Sequence, residues 1–125
     1  MGGISFTERE LDVMAVLWEL GSATVPEVKA RLRDDLAYTT VQTVLRTLVT
    51  KGYVTHDEDG RFHRYRPLVE REEAGRSGLR RLVETVFAGS PELLVTQLVS
   101  EGTLTETQVR RLRRLLDQHH PEEER

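Results

Sequence analysis

The chain contains no cysteine. That one absence excludes disulfides, thiolate metal sites, iron–sulfur clusters and cysteine nucleophiles, and it fits a reducing cytoplasm. Aromatic residues make up only 6%, so no aromatic-lined cofactor cavity is expected. No apolar run reaches the roughly 18 residues of a membrane span or the roughly seven of a signal-peptide core, so neither membrane insertion nor a leader is expected. A glycine-rich phosphate loop after a strand, a G-x-S-x-G elbow and an H-x-x-x-H pair are all missing. Of the four histidines, His56 and His63 fall where they could face one another, and His119 and His120 lie at the end of the chain. They read as surface residues. No catalytic residue, metal ligand or cofactor is expected, and the chain does not read as an enzyme.

An excess of positive charge is missing too. The net charge is −3, and neither half of the chain is basic, which rules out a nonspecific polycation. Two windows stand apart. Tyr38–Val54 holds Arg46 and Lys51 with no acid, and Arg61–Arg66 holds three arginines with no acid. A polyanion would have to be met there.

At 125 residues, 38% hydrophobic and 31% charged, the chain is long enough for one real core. Thr7 with Glu10 three residues on marks a capping box. Leu11, Met14, Ala15 and Trp18 then follow helical spacing up to Gly21. After a connector at Ser22–Val25, Pro26 opens a second helix with Val28 and Leu32 inward, ending near Asp34–Asp35. Val41, Val44, Leu45, Leu48 and Val49 stripe a third helix, with Thr39 as the expected cap and Gly52 beyond its end. Tyr53–Asp57 and Arg61–Leu68 then read as strands around an Asp59–Gly60 turn. The expected fold is mainly α with a small β-hairpin: a winged helix-turn-helix over 1–68, followed by a helical dimerisation domain over 69–125. In that second part, Leu79, Leu82, Val83, Val86 and Phe87 form one stripe. Ser90–Pro91 opens a helix carrying Leu93, Leu94, Leu98 and Val99. Thr105 opens a last helix with Val109, Leu112, Leu115 and Leu116 inward and Arg110, Arg111, Arg113 and Arg114 among them.

The third helix carries the chemistry. On a wheel of 100° per residue with Val41 at zero, Gln42, Arg46, Thr39, Thr50, Thr43 and Thr47 fall between about 100° and 240°, away from the core. Threonine is a poor helix former, so five of them within residues 38–51 need a reason. DNA supplies one. Threonine hydroxyls bond phosphates, glutamine pairs with adenine and arginine with guanine. Thr39, Thr40, Gln42, Thr43 and Arg46 are therefore expected in the major groove or on adjacent phosphates. Arg61, His63 and Arg64 on the hairpin are expected on the backbone. The plainer alternatives are a solvated helix face and a charge-protected edge strand. Short helices over the last 57 residues cannot close a core of their own. Leu79, Leu82, Val83, Val86, Phe87, Leu94, Leu98, Leu112 and Leu116 are therefore expected to pair with a second copy, the alternative being that they fold back on the first domain.

The motifs Thr7-Glu8-Arg9-Glu10-Leu11-Asp12-Val13-Met14 through Leu17-Trp18, and Ala37-Tyr38-Thr39-Thr40-Val41-Gln42-Thr43-Val44-Leu45, resemble the BlaI/MecI/CopY group of bacterial repressors, the penicillinase-repressor family. Lys51-Gly52-Tyr53-Val54, Gly60 through Leu68 and Leu104-Thr105 extend the likeness over most of the chain, from Phe6 to Leu116. The resemblance implies a cytoplasmic homodimer on double-stranded operator DNA, released when a membrane sensor-protease triggers cleavage in the dimerisation domain. Gln97-Leu98 stands where penicillinase repressors carry their cut Asn-Phe pair. The thiolates of copper-responsive members are missing, and Thr47 stands where the penicillinase repressors place their third-helix arginine. A winged-helix protein-interaction module without a DNA role is the rival reading. A ligand-sensing repressor is a second, although such repressors usually place a dimerisation helix before the winged domain and only six residues precede Thr7 here.

Overall fold

The computed structural model describes residues 3–119. The polar end expected from His119 onward lies, from His120, outside the described residues. Six helices and one hairpin follow in order: α1 Glu8–Leu20, α2 Val25–Arg31, α3 Tyr38–Thr50, β1 Val54–Asp59, β2 Phe62–Pro67, α4 Arg71–Thr85, α5 Pro91–Ser100 and α6 Glu106–His119. The chain divides into two compact units, one up to Arg80 and one from Arg81 on.

In the first unit, α1 begins as its residues dictate. Thr7 accepts from the Glu10 amide and Glu10 returns the bond to the Thr7 amide, while Gly21 stops the helix at φ 84°. The apolar faces of α1, α2 and α3 meet in one core of Val13, Met14, Leu17, Val28, Val41, Leu45 and Leu48, closed by Val54 and Tyr65 of the hairpin. Burying each of these larger side chains contributes about 1.5–3 kcal/mol. The helix α2 is shorter than expected, because Leu32 turns to extended backbone at ψ 144°. Asp34 and Asp35 then sit in a loop, held by Arg9 at 2.9 Å and Lys29 at 3.3 Å.

The hairpin is antiparallel with Val54 opposite Pro67 and Asp59 opposite Phe62. The turn residues are therefore Gly60 and Arg61, one place later than expected. Gly60 takes φ 64° in the first loop position, where tight hairpin turns of the II′ class favour glycine. Ala23, expected as plain connector, exchanges both backbone bonds with Tyr65 at 2.8 and 3.0 Å. That bridge ties the hairpin to the loop between α1 and α2. The Trp18 ring nitrogen donates to the Val69 carbonyl at 2.8 Å and Arg71 lies over the same ring, so the start of α4 is anchored to α1.

One buried charge joins the ends of α1 and α3. Glu10 is only 5% exposed and accepts from Lys51 Nζ at 2.8 Å. Burial pushes its carboxyl upward, but the Lys51 bond and the Thr7 amide outweigh it, leaving the group below the usual carboxylate range. A depressed carboxylate stabilises the fold above its unfolded value and loses that contribution as pH falls through the folded one. Glu10→Gln is expected to lower stability by about 1–3 kcal/mol at pH 7. Urea unfolding should show the gap between variant and parent closing as pH drops below about 4.3.

In the second unit, Ser90 caps α5 by accepting from the Leu93 amide, as expected from Ser90–Pro91. Thr105 and Gln108 exchange capping bonds at the start of α6. No residue of α4, α5 or α6 is buried. Among the described residues, no helix is long and apolar enough to cross a membrane.

Candidate nucleic-acid interface

The exposed face of α3 is defined by what its other face buries. Val41, Leu45 and Leu48 are in the core, with Val44 and Val49 packed against it. Thr39, Thr40, Thr43, Arg46, Thr47 and Thr50 remain exposed and Gln42 is half-buried. The start of α3 differs from that of its neighbours. A side-chain oxygen caps each of α1, α2, α5 and α6. The cap position of α3 is Ala37, which offers no side-chain bond, and the first turn has no acid. Thr39, expected as the cap, lies inside the first turn. The leading amides of α3 therefore keep their positive partial charge unanswered by any side chain.

Facing this helix, the hairpin completes a groove of about 260 Å³ lined by Gln42, Arg46, Val49, Thr50, His56, His63 and Tyr65. None of these is an acid. The two histidine rings stack in parallel, 4.3 Å apart at 3°. They are diagonal rather than opposite neighbours, since His56 faces Tyr65 and His63 faces Glu58 across the ladder. Burial pushes the Tyr65 hydroxyl up, and the nearby Arg46 charge pulls it partly back. Three or more ligating side chains never converge among the described residues, so the pair is not part of a larger metal cluster.

Strand alternation sends the wing arginines elsewhere. Arg64 pairs with Asp59 at 2.9 Å and with Glu27 of α2 at 3.2 Å, and Arg66 pairs with Asp57 at 3.2 Å. Hydrogen bonds to Asp59 and Glu27 raise the Arg64 guanidinium further, while the Thr24 amide and Arg64 hold Glu27 low. Arg64, expected on phosphate, here links the wing to α2 through these two carboxylates. Arg61 sits exposed in the turn, with no ion pair among the described residues. Of the residues singled out from sequence, Gln42, Arg46 and His63 share the groove. Thr39, Thr40 and Thr43 line the open face of α3, and Arg61 marks the wing tip. Thr50 was expected on the same face of α3, but His56 and Tyr65 were not expected at the site. Counting alternate positions on from His63 would have found Tyr65, but His56 depends on the strand register.

The residues expected to pair two copies are left uncovered. Leu79, Leu82, Val86, Leu98, Leu112 and Leu116 are exposed, and Val83, Phe87 and Leu94 are half-buried. Gln97 and Leu98 lie within α5, both exposed.

The profile of the penicillinase repressor family matches residues 6–118. The penicillinase repressor of Bacillus licheniformis is 24% identical over 115 residues, 90% of either chain. The methicillin resistance regulatory protein MecI of Staphylococcus aureus is 23% identical, over 86% of this chain and 89% of its own. The transcriptional regulator BlaI of Mycobacterium tuberculosis is 43% identical over 65 residues, 47% of each. In structure, the DNA-binding domain of the repressor BlaI matches with a TM-score of 0.51 at 31% identity, covering 55% of this chain and 87% of that one. The fold is also that of Escherichia coli MarR complexed with operator DNA, with a TM-score of 0.53 at 21% identity over 94% of this chain and 77% of that one. A winged helix with an acid-free outer face on α3 and a family match running almost end to end lead to one assignment: the chain belongs to the penicillinase repressor family of DNA-binding transcriptional repressors.

Proposed function

We propose that the chain acts in the cytoplasm as a homodimer on double-stranded operator DNA, with α3 in the major groove and the wing on the flanking backbone. The observation that carries this reading is the acid-free groove between α3 and the hairpin. Arg46 and Gln42 supply base-edge contacts, and Thr39, Thr40 and Thr43 reach phosphates or methyl groups beside them. The wing contacts come from Arg61 and His63, with Arg64 bracing the wing from behind. Residues 1–68 form the DNA-binding part and 69–125 the dimerisation part, whose uncovered leucines want a second copy. Induction by a sensor-protease would act at Gln97–Leu98. That cut divides α5 and separates α6 from the rest of the dimer surface.

Selection of bound sequences from random duplexes tests the reading, together with the salt dependence of the winner. A two-half-site sequence with steep salt dependence is expected. Binding that ignores salt, or no enriched sequence, would overturn it. The two wing arginines should separate. Arg61→Ala should lower the salt slope by roughly one, whereas Arg64→Ala should leave it nearly unchanged, because its charge already faces two carboxylates. Titration of each variant against salt reads the difference.

A further inference from the structure

The stacked pair on the hairpin lies beside the Tyr65 ring, with centroids at 5.5 and 6.2 Å. Neither His56 nor His63 is in the core, and both rings line the groove with Gln42, Arg46 and Thr50 of α3 and Tyr65 of β2. The charged and titratable groups facing the pair are Arg46 and Tyr65, with Glu58 directly across from His63. Histidine is the side chain whose charge changes in the physiological range. Two parallel imidazoles 4.3 Å apart set two protonatable rings side by side, next to the fixed charge of Arg46. Glu58 is the one acid among the groups facing them. A phosphate chain laid along the groove reverses the balance. It supplies negative charge to the same edge, and a protonated imidazole gives it a donor that the neutral tautomer can lack.

We infer that His56 and His63 form a proton-coupled phosphate contact, in which DNA entering the groove draws a proton from solvent onto the pair. The inference rests on the groove being the DNA site, as proposed above. Linkage sets its sign. Because the complex binds more protons than the free protein, affinity rises as pH falls. The pair would then add to the repressor a sensitivity to acidity that needs no ligand pocket.

The test uses the full chain and its selected duplex at constant ionic strength, with anisotropy read from pH 8 to pH 6. Wild-type binding should tighten by about threefold to tenfold per pH unit, the limit for one proton being tenfold. The His56→Gln/His63→Gln variant, checked for an unchanged thermal melt, should show a flat profile whatever its absolute affinity. His63→Arg, a permanent cation, should also flatten the profile. Calorimetry in two buffers of different ionisation heat should detect proton uptake in the parent and not in the double variant. A flat wild-type profile with salt-dependent binding intact would overturn the inference and leave the DNA reading standing. So would a slope that survives in the double variant, which retains His119 and His120. Absence of salt-dependent duplex binding at every pH would overturn both.

Discussion

Phe87→Asp or Leu112→Asp is expected to turn a dimer into a monomer and to reduce affinity for a two-half-site operator by about 100- to 10,000-fold. The reason lies in what α4, α5 and α6 leave uncovered. Val86 is 66% exposed and Leu116 67%, and Leu79, Leu82, Leu98 and Leu112 are open as well. A charge placed among them in an interface would be buried without a partner, which costs several kcal/mol in practice. Light scattering reads the state directly. A parent that is monomeric at tens of micromolar, or a variant that dimerises normally, would defeat the proposal. The change should fall on the linked sites alone, so a duplex with a single half-site should bind parent and variant about equally.

Two adjacent residues of α3 should give opposite results. Leu45 is fully buried in the core. Leu45→Ala leaves a cavity that the helices cannot close and is expected to cost about 2–5 kcal/mol of stability, a large share of what a small domain has. Arg46, on the next position around the helix, lines the groove. Arg46→Ala should leave the melting temperature nearly unchanged and weaken specific binding by about 1–3 kcal/mol, relaxing one base position in each half-site. Chemical unfolding and sequence selection on both variants separate the effects. An Arg46→Ala protein with the parent's preferred sequence and affinity would remove α3 as the reader.

Much of this architecture follows from short-range chemistry. The boxes at Thr7–Glu10 and the cap at Ser90 are made within one turn, so they are visible in the order of residues, as is the apolar stripe from Val41 to Val49. What escaped depends on distant partners. Glu27 captures Arg64 across 37 positions, and nothing in the run Arg61–Arg66 announces which arginine will be taken. The cap of α3 went to Ala37 because the loop after Leu32 delivers the chain already extended there, at ψ 152°, so no local preference of Thr39 decides it. The second helix ended early because Leu32 left the helix and the aspartates that follow found cations on α1 and α2. The groove was half legible: the face of α3 is set by its own periodicity, but its opposite wall required the register of the hairpin.

The bond pair between Ala23 and Tyr65 has a thermodynamic consequence. Together with the Arg64 contacts to Asp59 and Glu27, it makes the hairpin part of the folded body rather than a loose arm. The ordering entropy of the wing is then settled during folding, and none of it is charged against association. A pre-set wing also fixes the span between α3 and the Gly60–Arg61 turn. In the proposed docking mode that span would act as a calliper. Duplexes whose groove width departs from that span must deform to be held, so stiff and pliant flanking sequences should differ in affinity even where no side chain reaches a base.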